Sequence, residues 1–134
     1  MICYDDKHLG TANYRVDRMD KVEIEESRRT YNQKYESFNI ESYRRQVFSM
    51  YGGKPESVEL SFPEDLLDEI YDKFGEQTQI YKADENVYRT IVPVQISRTF
   101  FTWVIGTCGR LQILSPNSVI KQFTGFVQKI KDSY

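Results

Sequence analysis

The stretch RTFFTWVIGTCGRLQILSP, Arg98 to Pro116, decides the fold. Phe100, Phe101, Val104 and Ile105, with Trp103 between them, are spaced to form one apolar stripe on a helix over residues 99–106. Gly106 and Gly109 bracket the predicted helix exit, where a residue without Cβ can take left-handed backbone angles. Leu111, Ile113 and Leu114 then read as a short buried strand over 110–114, and Ser115-Pro116 opens another helix. A helix feeding a strand feeding a capped helix has to pack on a sheet supplied by the rest of the chain.

That sheet is sought upstream. SVELSF alternates, with Val58, Leu60 and Phe62 on one face. Pro63 to Phe74 reads as a helix with Leu66, Leu67, Ile70 and Phe74 facing inward, Glu64 and Asp65 at its positive end and Gly75 as its stop. Thr78 to Lys82 and Val87 to Ile96 read as strands around an ADEN hairpin turn; Pro93 inside the second removes a ladder donor and belongs at an edge or a bulge. Residues 57–114 thus spell strand, helix, strand, strand, helix, strand, the order of the ferredoxin-like plan. A last helix, Asn117 to Lys131, is expected to bury Val119, Ile120, Phe123, Val127 and Ile130.

Further toward the N-terminus the pattern is weaker. Ile2 to Tyr4 reads as strand from its first residues, and DDKHLGTAN as a long hairpin connection. YRVDR and KVEIEES alternate apolar and charged residues and predict two more strands around an Asp17–Asp20 turn. Three short strands need a second layer. SRRTYNQKYESF is polar, without a hydrophobic period. Asn39 then caps a helix on which Ile40, Tyr43, Val47 and Phe48 (or Met50) share a face, and Gly52-Gly53 ends it.

Composition bounds the function. A chain of 134 residues is one ordinary domain or two very small ones, and ten Tyr with eight Phe make it rich in aromatic side chains. A formal charge of −2 and a pI near 5.5 give no global attraction to nucleic acid or to an anionic membrane, so any anion site is local. Cys3 and Cys108 lie in apolar runs and read as buried free thiols rather than a disulfide, which points to a reducing compartment. No signal peptide and no run of roughly 18 apolar residues is found, so the expected location is the cytoplasm.

The pieces ICYDDKH, YRVDRMDKVEI, FNIESYRRQVFSMYGG and TFFTWVIGTCGRLQILSP, followed by a terminal helix, resemble the C-terminal part of bacterial WYL-domain transcriptional regulators. The resemblance covers nearly the whole chain. It implies an α+β protein in three parts. Residues 1–26 would be the C-terminal strands of a WYL domain, an incomplete Sm/SH3-like barrel. Residues 27–56 would be a linker and connecting helix, and 57–134 a ferredoxin-like βαββαβ domain, the WCX extension, with an extra C-terminal helix. It also implies that a winged helix-turn-helix and the first barrel strands belong upstream of Met1. Residues 1–26 are then expected to pair with another copy, to pack on the WCX domain or to stay weakly ordered.

In this family the arginines of the YRVDRM motif help form a basic ligand face that senses nucleic acid or nucleotide-like molecules, which places the expected site at Arg15 and Arg18. A guanidinium fork suits phosphate. The competing structural reading has Arg15 on the solvent face of a strand and Arg18 paired with Asp17 or Asp20. Asp6 and Ala12 stand where relatives often carry basic residues or His, which puts the strength of the site in doubt. His8, the single histidine, either caps a loop or joins the Arg15 cluster; without partners at ligand spacing it predicts no metal site. Arg28, Arg29, Lys34, Arg44 and Arg45, interleaved with Tyr31, Tyr35 and Tyr43, have the composition of a single-strand nucleic-acid surface, but nearby Glu25, Glu26, Glu36 and Glu41 favour a solvated face.

VYRTIVPVQI lacks the paired aromatics of an RNA-recognition strand. No catalytic triad, phosphate loop or activated cysteine can be assembled, so the chain reads as a non-enzyme without a cofactor. The expected function is effector sensing and oligomerisation, as a homodimer, with an anionic effector controlling an upstream helix-turn-helix domain. The alternatives are a purely structural dimerisation module and a small-molecule-binding ferredoxin-like domain.

Overall fold

A computed structural model describes residues 1–5, 10–28, 38–49 and 51–134. The chain divides into two compact units, Met1–Ile40 and Glu41–Tyr134. Its architecture is α+β, with two antiparallel sheets.

In the first unit, β1 (Ile2–Asp5) pairs antiparallel with β2 (Gly10–Asn13), with Cys3 opposite Ala12 and Tyr4 opposite Thr11. Met1 extends the ladder in both directions, its N-terminal amine donating to the Tyr14 carbonyl at 2.7 Å and its carbonyl accepting from the Tyr14 N–H at 2.8 Å. The two strands expected next do not form. Val16–Arg18 is a single 3-10 turn, and residues 21–28 carry no regular structure. Asp20 instead accepts the Lys21 N–H at 2.9 Å, with Lys21 at φ 51°. The physical reason is that an alternating pattern specifies a face but supplies no strand partner and no layer to cover it. Val22 and Ile24 remain 75% and 99% exposed. No described residue of this unit is buried, and its described strands close no barrel.

The second unit is built around one core. It starts with α1 (Ile40–Gln46, whose first residue belongs to the first unit) and continues through β3 (Lys54–Phe62), a 3-10 turn at Glu64–Leu66 and α2 (Leu67–Phe74). The hairpin β4 (Ile80–Asp84) and β5 (Val87–Ile96) follows, then α3 (Arg98–Gly106), β6 (Gln112–Ser115) and α4 (Asn117–Lys131). The strand order is β4-β5-β3-β6, antiparallel throughout, with Val58 opposite Val92 and Leu60 opposite both Thr90 and Ile113. Val58, Leu60 and Phe62 of β3 and Val92 and Val94 of β5 point to one side. There they meet Leu66, Ile70 and Phe74, Phe100, Phe101 and Val104, and Val119 of α4. Fully burying a side chain of this size is worth about 1.5–3 kcal/mol, so this layer holds the unit together.

Local chemistry explains the joints. Gly75, at φ 95°, ends α2 and hydrogen-bonds back to the Tyr71 carbonyl at 2.7 Å. Asn86, at φ 54° in the hairpin turn, accepts the Glu64 N–H on its side-chain oxygen at 3.1 Å. The Ser97 hydroxyl caps α3 through the Phe100 N–H at 3.3 Å. Thr90 and Thr107 are buried but satisfied, by Gln79 and Val104 carbonyls, both at 2.8 Å.

Several expectations need correction. The positive angles after α3 fall on Cys108 (φ 55°) and Gly109 (φ 84°), while Gly106 stays inside the helix. That turn exposes Cys108, and Cys3 is half-buried; both thiols are free. On α4 only Val119 is buried; Val127 and Ile130 are 40% and 42% exposed because the apolar stripe continues past the described body it packs on. Near α1, Ile40 is exposed and the burial falls on Val47 and Phe48, just past the helix end. Pro93 lies on a strand that is interior by order, yet β4 pairs with β5 only as far as Thr90. Beyond that point β5 has β3 on one side only, so Pro93 occupies a local edge.

Candidate functional site

Arg15 precedes the 3-10 turn of the first unit and Arg18 is its last residue, and both are exposed. The Arg15 fork is engaged twice by Asp17, through Nε at 3.0 Å and through a short Nη2 contact. This pairing holds the Asp17 carboxyl below its ordinary range and raises Arg15. The carboxylate that the sequence offered to Arg18 is therefore taken by Arg15. The Arg18 side chain makes no hydrogen bond or ion pair with a described residue. His8 and Asp6 lie outside the described residues, as do Arg29, Tyr31, Lys34 and Tyr35 of the second basic run.

Arg44 and Arg45 of that run sit on α1 beside Asp72 and Lys73 of α2, around a hollow of 380 Å³. Lys73 closes the end of α1, donating to the Val47 carbonyl at 2.7 Å and the Arg44 carbonyl at 3.4 Å, with its ammonium 4.0 Å from the Phe48 ring centre. Burial pushes its pKa down. The guanidinium of Arg45 lies where a side chain on Gly75 would begin, about 2.9 Å from the Cβ position. These contacts make the hollow a helix–helix joint.

The face of the sheet away from the helices carries a polar group drawn from all four strands. Glu59 on β3 accepts from the Tyr81 hydroxyl at 3.0 Å and the Ser115 hydroxyl at 3.4 Å, with the Arg89 guanidinium 3.6 Å away. The bond to Glu59 holds the Tyr81 phenol in its protonated form and pushes its pKa up. Arg89 Nε is buried without a partner, and the guanidinium approaches Glu59 through Nη1. No pattern in the sequence announces this group, since its members come together only through the strand register.

A second cavity, of 470 Å³, opens between Tyr51, the start of α3 and Phe126 of α4. Its frame is fixed on several sides. The Thr99 hydroxyl donates to the Phe48 carbonyl at 2.7 Å and lies 3.0 Å from the Ser97 hydroxyl. The Gly53 N–H reaches the Gln95 side-chain oxygen at 3.1 Å. A Cβ on Gly53 would stand 1.9 Å from the Ile96 carbonyl oxygen, so only glycine permits this approach.

Among the described residues no group of three or more His, Cys, Asp or Glu could hold a metal ion, and no helix is long and apolar enough to cross a membrane. No protein-family model matches the sequence, and no curated protein matches it.

Proposed function

We propose that this chain is an effector-sensing and oligomerisation part of a WYL-type transcriptional regulator, in which Arg15 and Arg18 bind an anionic ligand, nucleic acid or nucleotide-like. The observation that carries the reading is the strand order β4-β5-β3-β6 with helices α2 and α3 as connections. This is the pairing a ferredoxin-like βαββαβ unit requires, and it supports the WCX assignment of residues 57–134. The exposed arginines of YRVDRM are compatible with a ligand face: Arg18 is uncommitted, and Asp17 serves as the internal counter-ion that a phosphate displaces from Arg15. The protein acts here by binding rather than catalysis, and the effect on an upstream DNA-binding domain follows from different effector affinity in its two states. A homodimer is the expected assembly.

The test is a single-stranded oligonucleotide titrated into the full protein over a salt series. The double variant Arg15→Ala, Arg18→Ala is expected to lose binding, with the log–log salt slope falling by about 1.4 for two lost phosphate contacts on a single strand. Unchanged affinity and slope reject the site. Sedimentation at two concentrations, with and without oligonucleotide, separates this reading from a ligand-free dimerisation module.

A further inference from the structure

We propose that the cavity between Tyr51, Arg98 and Phe126 is a binding site for a small aromatic monocarboxylate, with Arg98 taking the carboxylate and the two rings the apolar body. This goes beyond the regulator reading and does not depend on it.

Volume, charge and rigidity agree. At 470 Å³ the cavity falls in the range of small-ligand sites, which are mostly apolar with a few polar groups that fix orientation. Among the described residues its walls carry two aromatic rings and one cation, and no carboxylate. Arg98 forms no ion pair or side-chain hydrogen bond with a described residue, whereas Arg15, Lys54, Arg89 and Arg110 each face an acid. It also sits in the first turn of α3, which contains no acidic residue to offset it. Arg98 is exposed, and a cation at this end of a helix is opposed by the helix dipole, so a carboxylate bound beside it is favoured by both charges.

Several other polar groups at the rim are already committed. The Thr99 hydroxyl is bound to Phe48, the Thr102 hydroxyl donates to the Arg98 carbonyl at 2.9 Å, and the Phe100 and Phe101 amides are taken by the Ser97 side chain and carbonyl. Charge recognition therefore rests on the single guanidinium, which suits one carboxylate better than a dianion. The Gly53–Ile96 approach and the Thr99–Phe48 bond hold the walls before any ligand arrives, so little ordering cost opposes binding.

Phenylacetate titrated into the full chain, followed by amide and side-chain NMR shifts, tests this. The expected result is saturable shifts confined to Tyr51–Gly52, Ser97–Thr102 and Phe126. The neutral isostere phenylacetamide should bind at least about tenfold more weakly, as loss of a charge-assisted pair requires. Arg98→Gln should erase that preference while leaving the rest of the spectrum unchanged. Absence of saturation, saturation at another surface, or equal binding of acid and amide overturns the proposal.

Discussion

The two units share a vocabulary and differ in outcome. Both contain alternating stretches, SVELSF in the second and KVEIEE in the first. In the second, Val58, Leu60 and Phe62 disappear under α2, α3 and α4; in the first, Val22 and Ile24 stand in solvent. The intrinsic signals are alike, so the difference is supplied by what lies opposite. A strand is stabilised by its neighbours and by the layer over it, and the described residues of the first unit offer one hairpin and no layer.

The comparison is broken most sharply at its aromatic centre. Phe48 packs on Trp103, Phe100 and Phe74, with ring centres 5.1, 5.2 and 6.2 Å away. Phe48→Ala is expected to cost about 3–5 kcal/mol in urea denaturation. Ile24→Ser, an equally drastic change on paper, should stay within about 0.5 kcal/mol because nothing packs on it. Equal losses would abolish the contrast.

A smaller effect is expected where backbone meets backbone. Gly53→Ala puts a methyl into the Ile96 carbonyl, and a strained shift of this kind costs about 1–3 kcal/mol. It should also disturb the NMR signals of Tyr51 and Arg98, which share the cavity rim. A silent spectrum would show that the segment 51–53 can move freely.

The smallest effect is electrostatic. Because burial lowers the Lys73 pKa, the unfolded chain holds that proton over the interval between the depressed folded value and the ordinary one near 10.4. The unfolded state binds more protons there, so stability rises with pH across that interval, and the penalty is fully present below the folded pKa. Half-exposure to solvent keeps the amount small. Comparing urea midpoints of the parent and Lys73→Met from pH 8 to 10.5 isolates this group from the tyrosines, and the rise should be weaker in the variant. The variant also loses the donor at the end of α1, which should increase amide exchange at Val47 and Phe48.

Much of the second unit was legible because several signals agreed at each joint: alternation in β3, Gly75 after α2, the apolar spacing of α3. Agreement across levels makes a local reading reliable. Misreadings arose where sequence specifies a face without its partner. The α4 stripe has helical spacing to Ile130, but no spacing states where the packing beneath it stops. Cys108 follows an apolar helix in sequence, yet a left-handed turn delivers it to solvent. At the candidate ligand face, the sequence left Asp17 or Asp20 to Arg18, and two residues of separation gave Asp17 to Arg15. The Tyr51–Arg98–Phe126 cavity was not legible at all, since its walls come from three segments distant in sequence that only the tertiary fold brings together.

The half-covered length of β5 has a further consequence. IVPVQI, Ile91 to Ile96, combines high β propensity with no charge, the composition of segments that zip together between molecules. From Ile91 onward its ladder is satisfied by β3 on one side only among the described residues. Pro93 stands inside that window and offers no N–H to an incoming strand. A proline so placed disfavours edge-to-edge pairing, so replacing it is expected to lower solubility before it alters the native pairing.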